Sequence, residues 1–134
     1  MYNKIDHIGI AVKSIEPVKD FFYTVFGIIP DYEEIIEDQK VKIVGFKVGN
    51  SITEFLEPIG TDSPISSFLE KKGEGLHHIC YGVNDIQEVL TKMKSQGIKL
   101  IDEEPRLGAD GKKIAFVHPK SFFNVLLELS QEIS

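Results

Sequence analysis

The sequence predicts an α+β fold in which two βαβββ modules, related by a pseudo-twofold axis, form one curved mixed sheet with helices on its convex side. The first observation is an internal repeat, since the segment beginning at His7 matches the segment beginning at His78. The second is that a helical pattern and then short β-like runs follow each copy. The third is length: 134 residues suit one domain, whereas half of them bury too little surface to be stable alone. The two modules are therefore expected to share a core.

The repeat runs through a strand and into the helix after it. Five identical pairs coincide at one constant offset, and they are His7/His78, Ile8/Ile79, Val12/Val83, Ile15/Ile86 and Val18/Val89. Both copies are therefore expected to fold alike.

The first module covers about residues 1–60. Its helix is predicted to begin at an N-cap, Ser14, and to stop near Gly27, because serine favours N-caps and glycine favours helix ends. The apolar helix stripe is Val18, Phe21, Phe22 and Val25, and the predicted strands that follow are 28–36, 41–48 and 51–57.

The second module covers about residues 75–134, after a linker helix over about 62–72 that Ser63 caps and Pro64 begins. Its own helix is predicted to run from the N-cap Asn84 to Gly97. The apolar stripe is Ile86, Val89, Leu90 and Met93, the predicted strands are 99–101, 112–117 and 124–130, and Asp110-Gly111 is the expected hairpin turn.

Composition excludes several function classes. The formal net charge of -6 argues against a duplex nucleic-acid binder, because such proteins depend on clustered Lys and Arg. The single cysteine cannot form an internal disulfide, and the apolar stretches fall short of the roughly 20 residues that a membrane helix needs. A cytoplasmic protein without nucleic-acid or membrane partners is expected.

Two histidines and two glutamates are the candidate ligands of a metal ion. Strand alternation puts His7 and His78 on the face opposite the helices, each followed on that face by small side chains. Glu54 and Glu128 interrupt apolar runs in the last strand of each module, where a buried carboxylate needs a partner or a metal. A lone residue of either type is ordinarily structural or solvent-facing, but the paired arrangement favours a site for a divalent first-row ion such as Co²⁺, Ni²⁺, Mn²⁺, Fe²⁺ or Zn²⁺.

At these residues the sequence resembles the vicinal-oxygen-chelate superfamily, also called the glyoxalase/bleomycin-resistance fold. Within it, the chain most resembles the methylmalonyl-CoA epimerase family, through the segments DSPISSFLEKKGEGLHHICYGVNDI, EEPRLGADGKKIAFVHPK and LLEL. The resemblance implies metal-dependent epimerisation of (2R)/(2S)-methylmalonyl-CoA through a metal-chelated enolate, and it implies a homodimer. It places the ligands at His7, Glu54, His78 and Glu128, although some members of the family have Gln at the position of Glu54.

Inversion at the carbon between a carboxylate and a thioester needs a proton carrier on each face. The resemblance points to Glu128 as one carrier, and Glu54 is the natural second one. A further glutamate considered in some epimerases aligns with Ile43, so its role does not transfer. Phosphates of an acyl-CoA substrate need basic groups, for which the candidates are Arg106, Lys112, Lys113 and Lys120.

Three alternatives stay open on the residues alone. They are a glyoxalase I-type lactoylglutathione lyase, an iron extradiol dioxygenase, and a non-catalytic small-molecule-binding protein of the same fold. Cys80 is interpreted as an apolar filler, and His77 as a non-ligand, because only His78 aligns with His7. Phe122 and Phe123 fit either a wall of the thioester pocket or a dimer contact.

Overall fold

The computed structural model describes residues 2–108 and 111–133. Within these ranges the strands are β1 (Tyr2–Ala11), β2 (Tyr32–Ile36), β3 (Val41–Val48), β4 (Ser51–Pro58), β5 (Gly75–Val83), β6 (Arg106–Leu107), β7 (Lys113–Val117) and β8 (Leu126–Gln131). The helices of the same ranges are α1 (Glu16–Phe26), α2 (Pro64–Lys72) and α3 (Ile86–Ser95). None of the helices so described is long and apolar enough to cross a membrane.

The strands form a mixed sheet in the order β2-β3-β4-β1-β5-β8-β7-β6. β5 and β8 are parallel, whereas β2-β3, β3-β4, β6-β7 and β7-β8 are antiparallel. Along the chain the elements follow the order β-α-β-β-β twice, with α2 between the two runs. The predicted α+β class and the repeated βαβββ order are confirmed.

The chain divides into two compact units. The central unit is Ile8–His77, and the terminal unit contains His7 and the residues before it together with the chain from His78 onward. β1 and β5 each contribute to both units, since the boundaries fall within these strands. The module bounds of about 1–60 and 75–134 stay a prediction.

The terminal unit packs α3 against the strands on one face. Its buried core contains Val83, Ile86, Val89, Leu90, Ala115, Val117, Leu127 and Leu129, with Tyr81, Met93, Leu100 and Phe122 packed against it. Leu127 and Leu129 enter this core on either side of Glu128, so strand alternation turns Glu128 to the opposite face. Val83 and Tyr81 of β5 belong to the same core, on the face that meets α3.

The central unit has two apolar clusters, on opposite faces of its strands. One contains Val44 and Phe46 and packs against Val18 and Phe22 of α1. The other contains Ala11, Val41, Ile43 and Leu56 and packs against Ile65 of α2. The linker helix therefore covers part of the face opposite α1.

The predicted stripe of α1 is only half correct. Val18 and Phe22 pack on the core, but Phe21 and Val25 are exposed. At 3.6 residues per turn the four side chains span an arc of about 100°, and Val18 and Phe22 share one half of it while Phe21 and Val25 share the other. Only the half with Val18 and Phe22 faces the strands.

Two helix caps lie one residue later than predicted. Ile15 rather than Ser14 is the N-cap of α1, and its backbone N–H donates to Glu57 Oε1 at 2.8 Å. Asp85 rather than Asn84 caps α3, because its carboxylate accepts the Glu88 N–H at 3.1 Å. The prediction for α2 is confirmed.

At α2, the Ser63 hydroxyl accepts the backbone N–H of Ile65 at 3.1 Å, and Pro64 begins the helix.

Three strand predictions were wrong at their bounds. β2 begins at Tyr32 rather than residue 28, after an irregular connection over 27–31 that contains Pro30. Leu100 makes only an isolated bridge to Val117, and the edge strand is β6 instead of 99–101. β8 begins at Leu126 rather than residue 124, because the backbone at Phe123 and Asn124 is left-handed, with φ of 57° and 69°.

One expected turn cannot be compared with the structure. The predicted hairpin turn at Asp110-Gly111 lies partly outside the described residues, which exclude Asp110.

Candidate functional site

Three neighbouring strands of the terminal unit bring His7, His78 and Glu128 together. His7 lies on β1, His78 on β5 and Glu128 on β8, and the parallel register sets Glu128 beside Cys80, two residues beyond His78. The two imidazole Nε2 atoms are 3.0 Å apart. Glu128 Oε1 lies 3.2 Å from His7 Nε2 and 3.5 Å from His78 Nε2. The three side chains thus turn one donor atom each toward a common centre.

The spacing of these atoms matches that of metal ligands. Two ligand atoms about 2.1 Å from one ion are separated by about 3.0 Å at a right angle and about 3.4 Å at the tetrahedral angle. Two of the three separations, 3.0 and 3.2 Å, fall within that range, and the third, 3.5 Å, lies just above it. Two imidazole nitrogens and a carboxylate oxygen also suit a divalent first-row ion. By geometry and donor chemistry, this arrangement fits a metal ion.

The three donor atoms of His7, His78 and Glu128 form a histidine-glutamate triangle, which is largely buried in the terminal unit. The side chains of His7, His78 and Glu128 are between 10% and 14% exposed. At this burial a carboxylate needs positive or hydrogen-bonding partners to remain charged. His78 Nε2, 3.5 Å from Glu128 Oε1, is such a partner when it carries a proton.

Asp6 is a further member of the site that the sequence analysis missed. Its carboxylate is buried and accepts a hydrogen bond from His7 Nδ1 at 2.9 Å and one from Lys112 Nζ at 3.3 Å. The hydrogen bond from His7 is the main reason that the pKa of Asp6 falls to about 2, from an ordinary value of 3.8. The repeat offered no signal, because the residue equivalent to Asp6 in the second copy is His77.

His77 has a different environment from the two candidate ligands. Its ring packs edge-on against Phe68 in the central unit, with centroids 5.0 Å apart. Burial, and secondarily the nearby charge of Lys72, lower the pKa of His77. These contacts agree with the interpretation of His77 as a non-ligand.

Cys80 lies beside the triangle as a buried thiol. Its Sγ is 3.4 Å from the Ser130 hydroxyl, and burial raises the pKa of the thiol. Asp6, His7 and Cys80 also offer one ligand atom each within 4.8 Å of one another. The neutral thiol and the engaged Asp6 carboxylate make this set a weaker metal site than the histidine-glutamate triangle.

Glu54, the remaining candidate ligand, lies on β4 in the central unit. Register places Tyr32, Gly45 and Glu54 in one row across β2, β3 and β4. The Tyr32 hydroxyl donates to Glu54 Oε2, and the tyrosine ring occupies the space where a side chain at position 45 would stand. Ile43 lies two residues before Gly45 on β3 and therefore points to the same face as Gly45. It is buried in one cluster with Leu56 and Ile65.

The four basic candidates differ in their surroundings. Arg106 donates to Asp102 at 3.3 Å and stacks over the Phe116 ring, with its guanidinium carbon 5.5 Å from the centroid. Lys112 is engaged by Asp6, whereas Lys113 and Lys120 are exposed.

The two phenylalanines before β8 also separate. Phe122 packs on the core of the terminal unit and contacts the Tyr81 ring edge-on at 5.9 Å, whereas Phe123 is 87% exposed.

Comparison with known proteins finds relatives that match nearly the whole chain. Residues 6–116 match the family model of the Glyoxalase/Bleomycin resistance protein/Dioxygenase superfamily. An uncharacterized Bacillus subtilis protein is 46% identical over 96% of this chain and 92% of its own. The ethylmalonyl-CoA/methylmalonyl-CoA epimerase of Cereibacter sphaeroides is 35% identical over 98% of this chain and 99% of its own.

Among solved structures, a variant of the Streptomyces coelicolor methylmalonyl-CoA epimerase in complex with 2-nitronate-propionyl-CoA is similar over all of this chain. It is 33% identical, with a TM-score of 0.89 over 100% of this chain and 97% of its own. The similarity therefore covers both βαβββ runs and all four candidate ligand positions.

Proposed function

Because the chain belongs to the glyoxalase/bleomycin resistance/dioxygenase superfamily and, within it, to the methylmalonyl-CoA epimerase family, we propose that it epimerises (2R)/(2S)-methylmalonyl-CoA in a metal-dependent reaction. The observation that carries the proposal is the convergence of His7, His78 and Glu128 within a chain so similar to epimerases. That similarity favours epimerisation over the glyoxalase I, dioxygenase and non-catalytic alternatives.

His7, His78 and Glu128 would hold the metal, and Glu54 is proposed as the fourth ligand from its equivalent place in the first module. The ion, when bound, supplies a positive charge that polarises the substrate oxygens and so makes the α-proton more acidic. Cobalt(II) is the proposed ion, with Ni²⁺, Mn²⁺ and Zn²⁺ as the other candidates for this donor set.

In this proposal the chain's own carboxylates move the proton. Glu128 removes it from the α-carbon on one face, and the carbon becomes planar as an enolate forms. Glu54 returns a proton to the other face and inverts the centre, and the roles exchange for the opposite stereoisomer. The Tyr32 hydroxyl fixes one oxygen of Glu54, which helps to hold the carboxylate in place.

The exchange of the α-proton with solvent tests substrate and chemistry together. In heavy water, the metal-loaded protein should incorporate deuterium into methylmalonyl-CoA and interconvert its stereoisomers, as followed by NMR and chiral analysis. A chelator should stop both processes, and added Co²⁺ should restore them. Exchange that persists without metal would remove the metal from the proposal, and a lack of exchange with every candidate ion would remove the epimerase activity.

Recognition of the coenzyme A portion is proposed to involve Arg106, Lys112, Lys113 and Lys120. Lys113 and Lys120 are the two that can be tested cleanly, because Lys112 is engaged by buried Asp6 and Arg106 pairs with Asp102.

Reversal of charge at Lys113 or Lys120 should weaken substrate binding. Lys113→Glu and Lys120→Glu are expected to raise KM several-fold, more at low ionic strength, with kcat nearly unchanged, since attraction to phosphate is screened by salt. Steady-state kinetics at two salt concentrations measure this. The matched control is Lys71→Glu, at an exposed position of α2. Equal KM values for all three variants would contradict the assignment.

Two further features stay predictions for this chain. They are a homodimer, which sedimentation velocity would detect, and a cytoplasmic location, which fractionation of the source cells would test.

A further inference from the structure

We propose that Asp6, held in place by Lys112, is a positioning residue that fixes His7 in the tautomer whose Nε2 lone pair faces His78 and Glu128. The inference rests on the proposed function only in giving that lone pair a metal to bind. The hydrogen bonds themselves belong to the protein alone.

The tautomer follows from the contacts of Asp6. A charged carboxylate only accepts hydrogen bonds, so the 2.9 Å contact between Asp6 Oδ2 and His7 Nδ1 requires the proton to be on Nδ1. A neutral ring with its proton on Nδ1 carries a lone pair on Nε2. That atom is the one 3.0 Å from His78 Nε2 and 3.2 Å from Glu128 Oε1.

Lys112 accounts for the presence of a charged group at this depth. Asp6 is buried, and burial of an unpaired carboxylate is costly. Lys112 Nζ lies 3.3 Å from Asp6 Oδ1, while Lys4 is more distant at 3.7 Å. The two oxygens of Asp6 are thus divided between Lys112 and His7, which leaves the carboxylate little freedom to rotate.

A carboxylate hydrogen-bonded to a metal-binding histidine is a common arrangement in metalloproteins, where it orients the ring. A ligating histidine generally donates its second ring N–H to a carboxylate or carbonyl, and loss of that partner typically weakens metal binding by about 10- to 100-fold. Asp6 and Lys112 therefore prepare His7 to bind without themselves contacting the ion.

The direct test is the tautomer of His7 in the metal-free protein. In ¹⁵N-histidine-labelled samples at neutral pH, long-range ¹H-¹⁵N spectra should show the wild-type His7 with its proton on Nδ1. In Asp6→Asn, which keeps the shape of the side chain, a substantial fraction should move its proton to Nε2. Lys112→Met should give an intermediate result.

Calorimetric titration with Co²⁺ supplies the second measurement. Affinity should fall by about 10- to 100-fold in Asp6→Asn and less in Lys112→Met. The matched controls are Asp62→Asn and Lys40→Met, which make the same changes in an exposed ion pair of the central unit and should leave both readouts as in wild type.

The outcomes separate this inference from the proposed function. An Asp6→Asn protein with wild-type tautomer and affinity overturns the inference, and a Lys112→Met protein that equals wild type removes Lys112 from it. If Asp6→Asn fails to fold, Lys112→Met is the test, in which a shifted tautomer and weaker affinity support the inference and wild-type values of both overturn it. A wild-type protein that binds no divalent ion, yet whose His7 tautomer depends on Asp6, would contradict the proposed metal and support the positioning role.

Discussion

Replacement of Glu128 by glutamine should abolish epimerisation while leaving the metal bound. The amide oxygen of Gln can still coordinate an ion beside His7 and His78, but it cannot accept the α-proton. Turnover is expected to fall by about 10² to 10⁴, the usual contribution of a positioned acid-base group. If Glu54 serves the other face, one stereoisomer should still exchange its α-proton with heavy water. Epimerisation rate, one-sided exchange and metal content together measure the effect.

The matched control for this variant is Glu132→Gln, the same chemical change at an exposed residue beyond the end of β8. It should behave as wild type. Glu54→Gln should give the mirror result, with exchange retained from the opposite stereoisomer. A Glu54→Gln protein that binds metal and keeps full epimerase activity would show that Glu54 is a ligand without a role in proton transfer. The second proton carrier would then be another group.

Truncation of Phe46 to alanine should produce the largest loss of stability. Phe46 is fully buried and stacks on Phe22 with ring centroids 3.8 Å apart and planes within 11°. It also meets Phe55 edge-on at 6.1 Å. Removal of a buried aromatic ring leaves a cavity and costs about 3 to 5 kcal/mol of unfolding free energy. Urea denaturation followed by circular dichroism measures the change.

The control for the cavity is Phe21→Ala on α1. Phe21 is 55% exposed, although its ring touches Phe22 and Phe26. Its truncation should cost about 1 kcal/mol or less, because surface contacts of this kind are weak. Comparable losses for the two variants would mean that the stacked cluster does not stabilise the central unit in this way.

The repeat made the architecture and three of the site residues predictable. The segments that begin at His7 and His78 match, and a helical pattern follows each of them, so both are expected to form a strand and then a helix. Strand alternation then places both imidazole rings on the face away from the helices. Glu128 could be found because a carboxylate between two core leucines has to face the other way. These inferences used only short-range periodicity, which a sequence records directly.

The pairing of Asp6 with Lys112 could not be predicted in this way. The two residues are 106 positions apart, and the position equivalent to Asp6 in the second copy holds His77 rather than an acid. Only the folded sheet brings the start of β1 near the approach to β7, so neither residue carries a local signal. From the sequence, the charge of Lys112 alone makes it a candidate for phosphate binding.

The errors in the predicted N-caps of α1 and α3 have a different cause. Ser14 and Asn84 have suitable side chains for capping, but each lies one residue before the actual N-cap. At α1 the N–H of Ile15 donates to Glu57 Oε1, an acceptor far along the chain that propensity does not encode. At α3 the Asp85 carboxylate accepts the Glu88 N–H, and propensity does not distinguish Asp85 from the neighbouring Asn84, since both residue types favour N-caps.

The row of Tyr32, Gly45 and Glu54 also bears on how this sequence can change through evolution. Gly45 has no left-handed backbone that would demand glycine, so what it provides is room for the tyrosine ring. An alanine at position 45 requires the Tyr32 ring either to shift or to be replaced by a smaller side chain, and either change disturbs the hydrogen bond from the hydroxyl to Glu54. Positions 32 and 45 are therefore expected to change together, and a relative that fills the space at 45 is expected to support the carboxylate, or its replacement, by another donor.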